Sequence, residues 1–226
     1  MNKNRFYQEE WETRRNQKFR DYARNLVLPE FFAPTKTAEK VLDVASGNGV
    51  VAEYLQMSGY DVSVIDISRE AIKQAKKRGI QKAYVGDVEN KLPFKSFFFD
   101  CIFWGDNIEH VFYPARVLDE IKRVLKNKGR LILSTPNMDY ILYRWHYFKT
   151  GQIPATEGIA SKPWEWKHIR FFNYESLVSL LKSKGFYITR LRGVNTPSLH
   201  NYLSRFFPKL FASIIILEAV NENKEK

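Results

Sequence analysis

From Lys40 onward the chain alternates short apolar runs with helix-period segments, and this rhythm constrains the fold more than any other feature. Val41-Leu42-Asp43-Val44 reads as a strand running into Ser46-Gly47-Asn48-Gly49. Residues 50–57 follow as a helix ended near Gly59, and residues 62–66 as a second strand. Ser68 is the expected N-cap of a helix to Arg78, stopped by Gly79. A short third strand, residues 83–85, ends at Gly86-Asp87, and a fourth covers residues 98–104. A strongly periodic helix over 115–126 closes at Lys128-Gly129, before a fifth strand over 130–135. A helix over 174–184, a strand over 187–191 and a final strand over 211–217 complete the pattern. Strands and helices in this alternation predict an α/β fold with a doubly wound, mostly parallel sheet. Ligands of such sheets bind at the carboxyl ends of the strands.

With 226 residues, 44% of them hydrophobic, the chain has material for one main domain. Residues 1–36 read as an N-terminal helical segment, with an amphipathic helix over 5–25 that offers Phe6, Trp11, Phe19 and Tyr22 for packing. Residues 37–226 form the domain, and the aromatic, proline-containing stretch at about 137–172 reads as a lid insertion. The lone Cys101 excludes an intramolecular disulfide. The N-terminus lacks an apolar signal region and no run is long enough to span a bilayer, so the expected location is the cytoplasm. The net charge of +11 is uneven: residues 37–115 sum to −2 and residues 116–226 to +10. A basic half of this kind suits a soluble surface or an anionic partner.

Five residues at the strand ends carry the chemistry: Asp43, Gly47, Gly49, Asp66 and Asp87. Glycines after a first strand let the backbone turn tightly and approach a ligand. An acid after the second strand holds ribose hydroxyls, and Asp66 lies 17 residues beyond Gly49. Gly47-Asn48-Gly49-Val50-Val51-Ala52 also satisfies the dinucleotide fingerprint. Charge separates the two ligands, because a pyrophosphate beside Asp43 is repelled. S-adenosylmethionine carries a sulfonium and an ammonium and no phosphate, so it tolerates the acids. Asp87 then faces its adenine end.

These runs resemble the class I S-adenosylmethionine-dependent methyltransferases. Residues 41–49 are similar to the family's first motif, with Ala45 where the family usually has glycine; Asp66 matches the ribose-binding acid and Gly86-Asp87-Val88 the adenine motif. Gly105-Asp106-Asn107-Ile108-Glu109-His110-Val111 resembles the element after the fourth strand. The resemblance covers residues 40–192 and implies a Rossmann-like seven-stranded sheet with an antiparallel last strand. It implies a donor site made of Asp43, Ala45, Ser46, Gly47, Gly49, Asp66, Ile67, Asp87, Val88, Trp104 and Gly105. Residues 151–156 and 164–168 also resemble the lid of the methionine-biosynthesis protein W group.

Methyl transfer from a sulfonium needs positioning, and it needs a base only where the acceptor arrives protonated. His110, His168 and Asp106 are the candidates. Each histidine has a structural alternative: His110 as a brace for the turn after the fourth strand, His168 as a packed lid residue. Asp106-x-x-Glu109-His110 resembles an element of ubiquinone-pathway O-methyltransferases that can bind a divalent ion, but one local cluster assigns no metal here. Tyr140, Tyr143, Arg144, Trp164, Trp166 and Arg170 are candidates to line an acceptor pocket. The expected acceptor is a small molecule, with O-methylation favoured. The rivals are an RNA substrate, a non-catalytic donor-binding partner of a biosynthetic enzyme, and an enzyme that touches an anionic membrane through Arg205-Phe206-Phe207-Pro208-Lys209-Leu210-Phe211. Oligomeric state is not legible.

Overall fold

A computed structural model of the chain describes residues 8, 11, 18–19, 22–156, 167–195 and 200–222. Seven strands form one sheet: β1 (Lys40–Val44), β2 (Asp61–Asp66), β3 (Lys82–Val85), β4 (Phe99–Gly105), β5 (Leu125–Pro136), β6 (Phe186–Val194) and β7 (Ile214–Asn221). Their order is β3-β2-β1-β4-β5-β7-β6. The first five pair in parallel, while β7 runs antiparallel to both β5 and β6. This is the expected mostly parallel sheet with an antiparallel last strand.

Strand alternation sorts the core into two layers. Leu42, Val44, Ile102, Trp104, Leu131 and Leu133 pack on one face, beneath α3 (Pro114–Val124) and α5 (Tyr174–Ser183). Val41, Val62, Val64, Cys101, Phe103 and Ile132 pack on the other, beneath α1 (Val50–Met57) and α2 (Arg69–Lys77). The second face is also covered by two 3-10 turns, Ala23–Leu26 and Leu28–Glu30. Leu28 and Phe32 are fully buried there, and such burial contributes roughly 2–3 kcal/mol per side chain. That anchoring places Arg24 over the carboxyl ends of the strands.

Local chemistry sets the helix starts. Ser68 accepts from the Ala71 amide at 3.2 Å, as its N-cap role demands. Asn173 and Ser176 form a reciprocal capping box that starts α5. Pro114 opens α3 at a position where its missing N–H costs nothing.

Three expectations need correction. The helix expected over residues 5–25 does not extend through 22–26, where Tyr22 is extended and Ala23–Leu26 is a 3-10 turn. The helix expected to run to Lys126 stops at Val124, because the Arg123 and Val124 carbonyls accept from the Phe97 and Phe98 amides at 2.9 and 2.8 Å. Strand β5 begins at once, and Lys128-Gly129 falls inside it beside a register shift, with Lys128 at φ +59°. The last strand starts at Ile214 and not at Phe211, because Pro208 opens a short helix, α7 (Pro208–Phe211), preceded by α6 (His200–Phe206). Within the lid stretch, Ile141–Thr150 forms helix α4. Trp164 and Trp166 lie outside the described residues.

Candidate active site

The loop after β1 is built on left-handed backbone: φ is +55° at Ala45, +56° at Gly47 and +78° at Gly49. A Cβ at Gly47 would collide with the Trp11 ring, so Trp11 roofs this loop. A Cβ at Gly49 would come within 2.8 Å of the Ala75 Cβ, so that glycine serves the contact between α1 and α2. Asp66 is buried at the end of β2. Its Oδ2 accepts the Gly47 amide and its Oδ1 the Ser68 amide, both at 2.8 Å. The carboxylate therefore fastens the glycine loop to β2 as well as facing it. Ile67 and Asp87 are half-buried and Val88 is buried. Asp87 Oδ1 caps its own turn by accepting the Glu89 amide at 3.0 Å. The Trp104 ring is buried in the core and donates to Asn107 at 2.9 Å, so only its backbone is available at the strand end.

Asp43 is buried on β1, and its Oδ2 has no hydrogen-bond partner. Burial pushes its carboxyl up to about 8; the nearby Arg24 charge pulls it back and Asp66 adds to the rise. Asp106 follows β4 at φ +45°, held by the Ser134 hydroxyl, which donates to its Oδ1 at 2.6 Å, and by the Arg24 guanidinium. Sequence reasoning missed Arg24, because nothing local marks an arginine in a turn 82 residues from its partner.

A second cluster lies beyond Asp106. Glu109 is buried; its Oε2 accepts from the Thr135 hydroxyl at 3.0 Å, and its Oε1 has no hydrogen-bond partner. His168 Nε2 lies 3.9 Å from that Oε1. The His110 and His168 rings meet edge to face at 4.6 Å, and Thr156 Oγ1 lies 2.5 Å from His168 Nδ1. The Ile169 and Arg170 amides donate to the Glu109 carbonyl at 2.9 and 3.0 Å, and His110 Nδ1 lies 3.1 Å from the Lys167 carbonyl. These bonds bring residues 167–170 onto the turn after β4. Burial pushes His168 down to about 3, with His110 adding to the effect, and pushes Glu109 upward with help from the Asp106 charge. His110, His168 and Asp106 thus share one corner of the molecule with Glu109.

The proposed acceptor residues divide. Tyr140 is buried and packs edge to face on Tyr143 at 5.1 Å. Arg144 is exposed and paired with Asp139, and Arg170 is exposed with its Nη2 donating to the Phe112 carbonyl at 2.8 Å. Cys101 is buried in β4 and its thiol is pushed up to about 12, which leaves it inert. Among the described residues no helix is long and apolar enough to cross a membrane.

The comparisons with known proteins follow this geometry. The methyltransferase domain family matches residues 42–133. A demethylmenaquinone methyltransferase of Thermotoga maritima is 31% identical over 166 residues, covering 67% of this chain and 71% of that protein. The chain belongs to the class I S-adenosylmethionine-dependent methyltransferases. A ubiquinone biosynthesis O-methyltransferase of Xylella fastidiosa (strain 9a5c) is 36% identical over 103 residues, 43% of this chain. The chain spans 42% of that relative's length. The structure of a methyltransferase of Thermotoga maritima, described as a possible histamine N-methyltransferase, shares the fold with a TM-score of 0.66, covering 95% of this chain and 94% of that one at 21% identity. The methyltransferase family's donor is S-adenosylmethionine. The residues present are compatible with it: a tight glycine loop, the acid Asp66 at the end of β2, and a buried Asp43 Oδ2 without a hydrogen-bond partner.

Proposed function

We propose that this methyltransferase moves a methyl group from S-adenosylmethionine to a hydroxyl of a small aromatic acceptor of the quinol class. One observation carries the reading: the buried His168–Glu109 pair stands beside Asp106, at the strand end that the donor loop also faces. The names of the Xylella and Thermotoga relatives, both concerned with quinones, support the acceptor class. The bound donor supplies a methyl group already activated on a sulfonium. His168 is held neutral by burial, and the same burial weakens it as a base, so taking a proton from an incoming hydroxyl relies on the Glu109 carboxyl beside it. Glu109 faces the imidazolium that results, and the Thr156 hydroxyl holds the ring in place. Segment 167–170 is pinned against that corner by backbone hydrogen bonds to Glu109 and by Arg170 to Phe112.

The test is turnover of S-adenosylmethionine with a panel of catechols and hydroquinones, read as release of S-adenosylhomocysteine. His168→Ala is expected to lower kcat by roughly 100-fold, within the range for a lost general base, while binding of S-adenosylhomocysteine is retained. Unchanged kcat in that variant would remove the base assignment, and binding without turnover on the whole panel would favour the non-catalytic partner.

A second reading is favoured by one further observation. Glu109, His110 and His168 each offer a ligand atom, all within 4.8 Å of one another. One carboxylate oxygen and two imidazole nitrogens suit a borderline divalent ion. Activity that rises on adding zinc or manganese and falls with a chelator would establish it over the metal-free base.

A further inference from the structure

The span 37–115 is net acidic, yet four of its nine basic residues stand together on one helix. Arg69, Lys73, Lys76 and Lys77 occupy positions i, i+4, i+7 and i+8 of α2, which share one helical face. All four are exposed. With Ile72, and with Val85 of the edge strand β3, they line a cleft of about 710 Å³. Among the described residues no carboxylate lines it.

Helix stability accounts for only part of this row. Lys76 and Lys77 sit in the last turn, where a cation complements the carbonyl end of the helix. Arg69 opens the first turn, where the helix dipole disfavours a cation. Lys73 is three or four positions from each of the other three, so like charges oppose one another along the face. Lys73 reaches Glu70 only at 3.8 Å, and its side chain stays 66% exposed. Arg69, Lys76 and Lys77 form no ion pair with a described residue. Four cations that open into one space are relieved by an anion of several charges held among them. Ile72 and Val85 give the cleft a small apolar floor, and no aromatic ring lines it for a base to stack on. That combination suits a compact polyanion better than a nucleic-acid strand.

We propose that this cleft binds a compact polyphosphate, the phosphate chain of a nucleotide or a short inorganic one. The Arg69 fork grips one phosphate, and the three lysines neutralise the others. The cleft is lined by none of the glycine-loop residues, nor by Asp66, Glu109 or His168. It is therefore a second site, and it does not rest on the donor reading. Arg69 follows Ser68, whose amide Asp66 holds at 2.8 Å, so the cleft stands directly behind the glycine loop's anchor.

The test is calorimetric titration of the full chain in the presence of excess S-adenosylhomocysteine, with orthophosphate, tripolyphosphate and GTP as probes. Tripolyphosphate carries no nucleoside, so its isotherm reads the cleft whether or not the donor loop is filled. It is expected to bind at least about tenfold tighter than orthophosphate, because several cations converge on it. Arg69→Gln combined with Lys73→Gln should weaken it by about tenfold or more. Lys95→Gln combined with Lys182→Gln removes the same charge from exposed positions elsewhere and should change it by less than about threefold. GTP bound as tightly as tripolyphosphate would support the phosphate chain alone as the ligand, and GTP bound more tightly would support a nucleotide. Equal losses in the two double variants would reduce the cleft to general surface charge and overturn the proposal. So would equal affinity for orthophosphate and tripolyphosphate, or no binding of either. A uridine oligomer held more tightly than tripolyphosphate through Arg69 and Lys73 would overturn it in favour of single-stranded nucleic acid.

Discussion

Asp66 Oδ2 accepts the Gly47 amide at 2.8 Å across 19 positions of sequence, so the acid expected to bind a ribose also holds the glycine loop in shape. Ligand recognition and loop geometry are therefore coupled in one carboxylate. Asp66→Ala should weaken S-adenosylhomocysteine binding and also destabilise the ligand-free protein by about 2 kcal/mol, the cost of stranding buried amides. Urea unfolding without ligand checks this. An unchanged midpoint would mean the two amide bonds contribute nothing to the fold.

Ala45 sits at φ +55°, where a side chain is crowded by its own backbone. Ala45→Gly is expected to stabilise the protein by about 1 kcal/mol. Thermal unfolding of the two proteins decides, and a lower Tm for the glycine variant would show that the Ala45 methyl makes contacts worth more than the strain.

Asp43 and Glu109 make stability depend on pH in a particular direction. Unfolded, both titrate near 4. Folded, both keep their protons to higher pH, Asp43 to about 8. The folded state binds more protons across that window, so their contribution is greatest at low pH and is lost as pH rises through it. His168 acts oppositely below about 6.5, where the unfolded ring protonates but the buried one does not until about 3. The carboxyl effect is thus unopposed by His168 between about 6.5 and 8. Stability in urea should fall across that interval, by at most about 1.4 kcal/mol per pH unit for each group. Asp43→Asn and Glu109→Gln should each flatten the slope; an identical slope in both variants would sink the assignment.

Trp11 lies on Gly47, where a donor also has to approach. Adding S-adenosylhomocysteine should change the tryptophan emission of the wild type, and the change should be largely absent in Trp11→Phe. An equal response from both proteins would place the signal in other tryptophans.

Two apolar surfaces bear on membrane contact. In α4, Leu142, Trp145, Tyr147 and Phe148 are exposed, and α4 buries no residue. Around α6 and α7, Tyr202, Phe206 and Phe207 are exposed beside Arg205 and Lys209. Sedimentation with vesicles containing anionic lipid should retain the protein at low salt and release it at high salt. Recovery in the supernatant at both salt concentrations would remove the membrane contact.

The parallel half of the sheet was legible because each strand is a short apolar run ending in a turn residue, and Ser68 and Gly49 mark the helix starts by their own chemistry. The β5 boundary was not legible. Val124 and Leu125 are both apolar and buried, and what separates them is hydrogen bonding to residues 97 and 98. In the site, the strand-end acids were visible by spacing. Arg24 and the pairing of Glu109 with His168 were not, because each joins segments more than 50 positions apart. Trp104 looked like a ligand residue from its place near the end of β4, but alternation turns its ring into the core.

The insertion of β7 between β5 and β6 has a consequence for synthesis on the ribosome. Residues 130–136 pair with residues 214–220, so β5 keeps a bare edge until those later residues have emerged. That edge includes the buried Leu131, Ile132 and Leu133, and an apolar open edge invites pairing with other chains. Truncation before Ile214 should therefore yield aggregates in place of a smaller soluble domain, although the glycine loop, His110 and His168 would still be encoded.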